Sequence, residues 1–286
     1  MSGRRRLPLA WLATAPFFAY TTAFLFVPAG SVIVGAFKSN THAGSWTLAN
    51  VRLLFHDPYR HAYWVSIEVS AVTAALGAIL GFLVAYAMIR EHTPRIFRGM
   101  ITTFSGVAAN FGGIPLAFAW IATIGPLGIA TVFLRNHAHY DLAQHVPLFS
   151  KTGVEVVYLY FQIPLAILVI APAIDGLKRE WREAAANLGA NPWQFWRYVG
   201  IPVLMPSMLG MFILLFGNSF AAYATAYALT TGTVPLVPIQ IAYYYTGNVL
   251  DNPHLAQAMA FGMFVVLAVM MLLYIPLQRR AARWAK

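Results

Sequence analysis

Long apolar runs dominate the chain, and short clusters of charge separate them. A helix needs about 20 apolar residues to cross the hydrocarbon core of a bilayer. Six segments reach that length: residues 11–37, 63–89, 101–124, 154–174, 203–229 and 255–277. None alternates apolar and polar positions every second residue, which argues against a β-barrel. The pattern predicts an all-α polytopic membrane protein with six transmembrane helices. The first run lies in a chargeless stretch from Leu7 to Phe37. That is far longer than the roughly 7–15-residue apolar core of a cleaved leader, so it reads as a retained first helix.

Breakers punctuate the spans: Pro16 and Pro28 in the first, Pro115 in the third, Pro164 and Pro172 in the fourth, and Pro206 in the fifth. Membrane helices tolerate them where neighbouring helices and side chains satisfy the freed backbone groups. The third span also carries Gly106, Gly112 and Gly113 around Asn110. Close helix packing explains these small residues, and so does a flexible segment lining a pathway.

One amphipathic stretch interrupts the apolar pattern. Leu177, Trp181, Ala184 and Leu188 are spaced to share a helix face, with Lys178, Arg179, Glu180, Arg182 and Glu183 on the others. The helix is too short and too charged to span a membrane. Gly189 follows where a helix end favours positive φ. Asn191 then reads as an N-cap, with Pro192 as the first residue of a second short helix. That helix carries Trp193, Phe195, Trp196, Arg197 and Tyr198, a set suited to the membrane interface. Pro202 and Pro206 are expected to mark entry into the fifth span.

Composition agrees with lipid as solvent. The chain has 286 residues, 59% hydrophobic and 10% charged, against about 25% charged in soluble proteins. It has no cysteine, which excludes disulfides and thiolate metal sites. The net charge of +10 falls in clusters between spans rather than on one folded face. That pattern points to membrane topology and away from nucleic acid. Of the 19 Lys and Arg residues, 14 lie before span one, between spans two and three, between four and five, and after span six; 5 lie in the opposite loops. This asymmetry predicts cytoplasmic termini (residues 1–10 and 278–286) and a cytoplasmic loop at 177–202.

The loop carries a specific resemblance. Glu183-Ala184-Ala185, three residues, Gly189, nine residues, then Val199-Gly200-Ile201-Pro202 resembles the EAA motif of type I ABC importer permeases. The family pattern is E-A-A-x3-G-x9-I-x-L-P, and Val199 and Ile201 are conservative departures from it. The resemblance extends, through the order of spans, over nearly the whole chain and implies one permease domain at about 63–277. It implies a coupling helix docking on an ATP-binding cassette ATPase, with Glu183, Ala184, Ala185, Gly189, Val199, Ile201 and Pro202 as the coupling residues. It further implies a second permease subunit, identical or related, an external substrate-binding protein, and residence in a bacterial inner membrane. A bulky residue at Gly189 is then expected to uncouple transport from ATP hydrolysis.

A P-loop needs Gly directly before Lys. The four lysines follow Phe37, Ser150, Leu177 and Ala285, so ATP and Mg are expected on a partner chain and no cofactor on this one. The stretch Phe216–Tyr227 resembles the spermidine/putrescine branch of the family, with a weaker echo in Asn110–Pro115. Permeases for phosphonates, ferric iron and thiosulfate-type anions have related cores. Candidate pathway residues are Glu68, Asn110, Asn218, Ser219 and Tyr223. Glu68 is the one acid well inside a span, where burying charge is costly. Pairing with a nearby base accounts for it as readily as substrate contact.

Two other readings compete with this one. An ion-driven secondary transporter would use Glu68 as its proton carrier, but internal repeats are not visible. A metalloenzyme would use His137, His139, His145 and Asp141 of the third external loop. Those histidines read as incidental to a mobile loop, and no metal ligands or catalytic residues are assigned.

Overall fold

The computed structural model describes residues 9–39, 45–89, 93–246 and 252–282. Residues 1–8 and 283–286 of the expected cytoplasmic termini lie outside these, as does Arg90 of the second basic cluster. The chain divides into two compact units. One comprises Met1–Arg60 with Gln240–Val265, the other His61–Ile239 with Val266–Lys286.

The first unit begins with α1 (Leu9–Thr21), a π-helical turn (Thr22–Phe26) and α2 (Val27–Ala36). The π turn takes up Pro28, which has no N–H to donate. Phe17, Phe18, Tyr20, Phe24 and Phe26 point outward, an arrangement that lipid solvates but water would not. The short α3 (Ala49–Leu53) follows. Asn50 Nδ2 donates to the Lys38 carbonyl at 2.9 Å, and the Tyr59 and Tyr244 hydroxyls pair at 2.7 Å.

The second unit is organised by α4 (Tyr59–Ile89) and α9 (Lys151–Asp175). The buried stripe of α4 is Ala62, Val65, Ser66, Val69, Ser70, Thr73, Ala74, Gly77, Gly81, Ala85 and Met88. Its small residues let α9 approach the backbone directly. A Cβ at Gly77 would lie 2.9 Å from Gln162 Cβ, and one at Gly81 would collide with the Ala166 methyl group. Hydrogen bonds tie both helices to later segments of the chain. Thr73 and Ser219 hydroxyls pair at 2.9 Å, Gln162 donates to the Leu215 carbonyl at 2.8 Å, and the Val237 amide donates to Ser66 at 2.8 Å.

The third expected span is not one helix. The chain forms α5 (Arg95–Asn110), breaks at Phe111–Gly112, and resumes as α6 (Gly113–Ile124). Pro115 lacks an N–H and its ring excludes the Phe111 carbonyl from a helical position. Gly113, at φ +71°, absorbs the turn at little cost. The loop expected to be external and mobile is also helical, as α7 (Ile129–Ala138) and α8 (Leu142–His145), and the apolar stretch of spanning length here is Gly113–Ala138 rather than 101–124.

The fifth span differs at both ends. Helix starts at Pro192 as α11 (Pro192–Phe195), continues through a π turn (Trp196–Gly200) and becomes α12 (Ile201–Ala221). Pro202 therefore lies inside a continuous helix rather than marking its entry. The π turn removes the need for a donor at that position. Helix ends at Ala221, and α13 (Ala224–Thr230) follows as a separate element. The last elements are α14 (Val237–Thr246) and α15 (Pro253–Ala282). Six stretches of helix are long and apolar enough to cross a membrane.

Candidate functional site

The loop after α9 folds from local signals. α10 (Arg179–Asn187) ends in two backbone bonds, Gly189 N–H to the Ala186 carbonyl and Ala190 N–H to the Ala185 carbonyl, both 2.9 Å. This is a Schellman turn, and Gly189 takes the required left-handed conformation at φ +78°. The next helix opens with a reciprocal cap. The Asn191 side chain accepts from the Gln194 amide and the Gln194 side chain accepts from the Asn191 amide, both at 2.8 Å. Gln194 completes this capping box, a partner visible in the Asn-x-x-Gln spacing but absent from the sequence-based assignment.

The inward face of α10 differs from the one its periodicity predicts. Trp181 and Ala185 are half-buried, whereas Ala184 is exposed and Leu188 is 87% exposed. Glu183 accepts from Arg179 Nε at 2.9 Å, one turn apart on the exposed surface. Glu183, Ala184 and Leu188 thus form an outward face of mixed charge and apolar surface. Trp196 ties the loop to α4, edge-on to Tyr86 and Phe82 at centroid distances of 4.9 and 6.0 Å. Val199, Ile201 and Pro202 are half-buried at the root of α12. They shape the base of the loop and do not join its exposed face.

The candidate pathway residues separate into three environments. Glu68 Oε1 meets Lys151 Nζ at 2.5 Å, with the two side chains 40% and 37% exposed. The carboxylate is charge-compensated rather than isolated. Ser219 is buried and bonded to Thr73, which makes it a packing residue. Asn110, Asn218 and Tyr223 are exposed on the second unit. Asn110 Nδ2 donates to the Gly106 carbonyl of its own helix at 2.9 Å.

Two helix breaks meet here. The Gly113 amide, at the start of α6, donates to Thr225 Oγ1 of α13 at 2.8 Å. The Ala222 carbonyl, freed by the second break, accepts from the Tyr158 hydroxyl at 2.9 Å. Irregular backbone at membrane depth is tolerated where protein buries it or where it lines a cavity. Tyr223 stacks on Tyr227 at 5.3 Å, with 23° between the rings. Tyr227 was missed as a candidate, although its spacing of four from Tyr223 marks it as a same-face neighbour.

The histidines of α7 and α8 have local partners. His137 stacks on Phe133 and His145 on Tyr140, each at 4.4 Å. Asp141 accepts from Arg135 at 2.9 Å and caps α8. The Arg135 guanidinium holds the Asp141 carboxyl below its ordinary range. Among the described residues, no three His, Cys, Asp or Glu side chains converge as a metal site.

Known proteins resemble the chain over most of its length. Residues 77–284 match the profile of the family described as binding-protein-dependent transport system inner membrane component. The probable sulfate transport system permease protein cysT of Helicosporidium sp. is 24% identical over 215 residues, covering 74% of this chain and 73% of that protein. The spermidine/putrescine transport system permease protein PotB of Haemophilus influenzae is 23% identical over 274 residues, covering 92% of each. A chain in the crystal structure of a bacterial alginate ABC transporter, in complex with alginate pentasaccharide-bound periplasmic protein, shares the fold. Its TM-score is 0.74 at 17% identity, covering 95% of this chain and 94% of that one. With six apolar helices of spanning length and a family match over most of its residues, this chain belongs to the binding-protein-dependent transport system inner membrane components and is a multi-pass permease subunit of an ABC importer.

Proposed function

We propose that this chain forms half of a substrate pathway and is driven by a separate ATPase through residues 177–202. The observation that carries this reading is the build of that loop. A Schellman turn at Gly189 and a capping box at Asn191 hold α10 rigid. Glu183, Ala184 and Leu188 are left outward as a docking face. A linker needing only to join two spans would require neither device. ATP and Mg act on the partner. Its closure moves α10 and switches the permease pair between inward and outward access. A ligand biases that switch only by binding the two states differently. The termini and the loop are cytoplasmic in this scheme.

The substrate proposed is a small polar solute, with a polyamine as first candidate. The stacked Tyr223–Tyr227 pair offers π faces that attract cations. Glu68 adds less than its charge alone suggests, because Lys151 compensates it. The relatives named above carry different substrates in their names, so an anion such as phosphonate remains the second candidate.

The test is purification of the tagged chain from its own membrane in mild detergent. Co-purification of a stoichiometric P-loop ATPase and a second coupling-loop permease supports the scheme. Reconstitution with the binding protein then allows uptake of labelled spermidine and of an anion to be compared. A chain that purifies alone and transports on an ion gradient without ATP overturns it.

A further inference from the structure

A cavity of about 590 Å³ lies between α10 and the ends of α4 and α9. The proposed coupling mechanism makes no use of it. Tyr86, Phe195 and Trp196 form an aromatic wall. Lys178, whose Nζ lies 5.8 Å from the Trp181 ring centroid, Arg182 and Asp175 also line the cavity. The Arg182 guanidinium lies 5.8 Å from the Phe195 ring centroid, so this exposed cation sits beside the wall. Arg179 also lines the space, but it is engaged by Glu183.

The position and the chemistry limit what fits. Both α4 and α9 are helices of spanning length that end here, at Ile89 and Asp175, which puts the cavity at headgroup depth in the proposed topology. A soluble anion would need the cations and gain nothing from the aromatic wall. A phospholipid has both a phosphate and an apolar body. Basic pockets between helices on the cytoplasmic side are suited to anionic headgroups.

We infer that this cavity binds the headgroup of an anionic phospholipid, with Lys178 and Arg182 on the phosphate and Tyr86, Phe195 and Trp196 against the glycerol and upper chains. Bound there, the lipid braces α10 against the membrane core and makes the loop sensitive to lipid composition. The inference rests on the cytoplasmic placement of residues 177–202 proposed above, but it can be tested without any ATPase.

The purified chain is titrated with phosphatidylglycerol, phosphatidylcholine and inorganic phosphate, with binding followed by native mass spectrometry. Phosphatidylglycerol is expected to bind at least about tenfold more tightly than phosphatidylcholine. The Lys178→Ala/Arg182→Ala double variant is expected to lose that preference, and Lys178→Arg/Arg182→Lys to keep it. Retention in the charge-preserving variant separates lost binding from lost folding. Equal binding of the two lipids, or a preference untouched by the alanine variant, overturns the inference. Inorganic phosphate that binds as tightly as the anionic lipid overturns the lipid as its source.

Discussion

Thr225 Oγ1 accepts from the Gly113 amide at 2.8 Å and donates to the Gly113 carbonyl at 3.2 Å. One hydroxyl thereby satisfies both backbone groups of the residue that restarts the broken third span. It also joins that restart to the short helix after the second break. Thr225→Val keeps the shape and removes both bonds, leaving the Gly113 amide unpaired. The expected loss is about 1–2 kcal/mol, within the range for buried and interhelical hydrogen bonds. It would be read as a lower unfolding midpoint in detergent, while Thr225→Ser stays near wild type. An unchanged midpoint in the valine variant would remove the latch from the account.

Gly189 is a matter of backbone rather than space. A Cβ at this position would meet nothing within 4 Å, yet φ is +78°. Most L-residues pay roughly 1–2 kcal/mol in this conformation, and Asn pays less. Gly189→Val should therefore distort the end of α10 and lower substrate-stimulated ATPase activity and uptake together. Gly189→Asn should keep most of both. Equal activity in the two variants would show that the turn does not matter for coupling.

Contact between Gly81 and Ala166 sets how closely α4 and α9 pack. Gly81→Ala should push the helices apart, because its Cβ collides with the Ala166 methyl group and lies 3.0 Å from the Ile163 carbonyl. Overpacking of this kind costs about 1–3 kcal/mol. Adding Ala166→Gly removes the methyl but not the carbonyl, so the double variant should recover stability only in part. Full additivity of the two losses in a thermal unfolding cycle would count against direct contact.

Topology can be read with single cysteines, since the chain has none of its own. Trp193 and Phe149 are exposed on opposite sides of the proposed membrane. Trp193→Cys should react with a membrane-impermeant maleimide only in inverted vesicles, and Phe149→Cys only in intact cells. The reverse pattern would invert the orientation expected from the 14:5 charge split.

Six apolar helices of spanning length and the turn of the loop were legible in the sequence because their causes are local. Apolar length makes a spanning helix wherever it occurs. Gly189 and Asn191 act on backbone groups within a few residues of themselves. The first break was half legible: Gly112, Gly113 and Pro115 were seen, but a single helix was still expected through 101–124. The face of α10 was misjudged because periodicity finds an apolar stripe without saying what covers it. Here Trp181 and Ala185 turn inward while Leu188 remains outside.

The second break had no signal at all. Ala221, Ala222, Tyr223 and Ala224 contain no proline or glycine, and alanine is the strongest helix former. The helix ends there because distant groups compensate its backbone. Tyr158 donates to the Ala222 carbonyl, and Thr225 turns to Gly113. The charge of Glu68 was also plain from the sequence, but its partner Lys151 lies 83 residues away. Sequence alone determined that six helices would be long and apolar enough to cross a membrane and where the loop turns, because those depend on neighbours along the chain. Tertiary structure decided where helices break, which acid is compensated and which face remains open, because those depend on groups that meet only after folding.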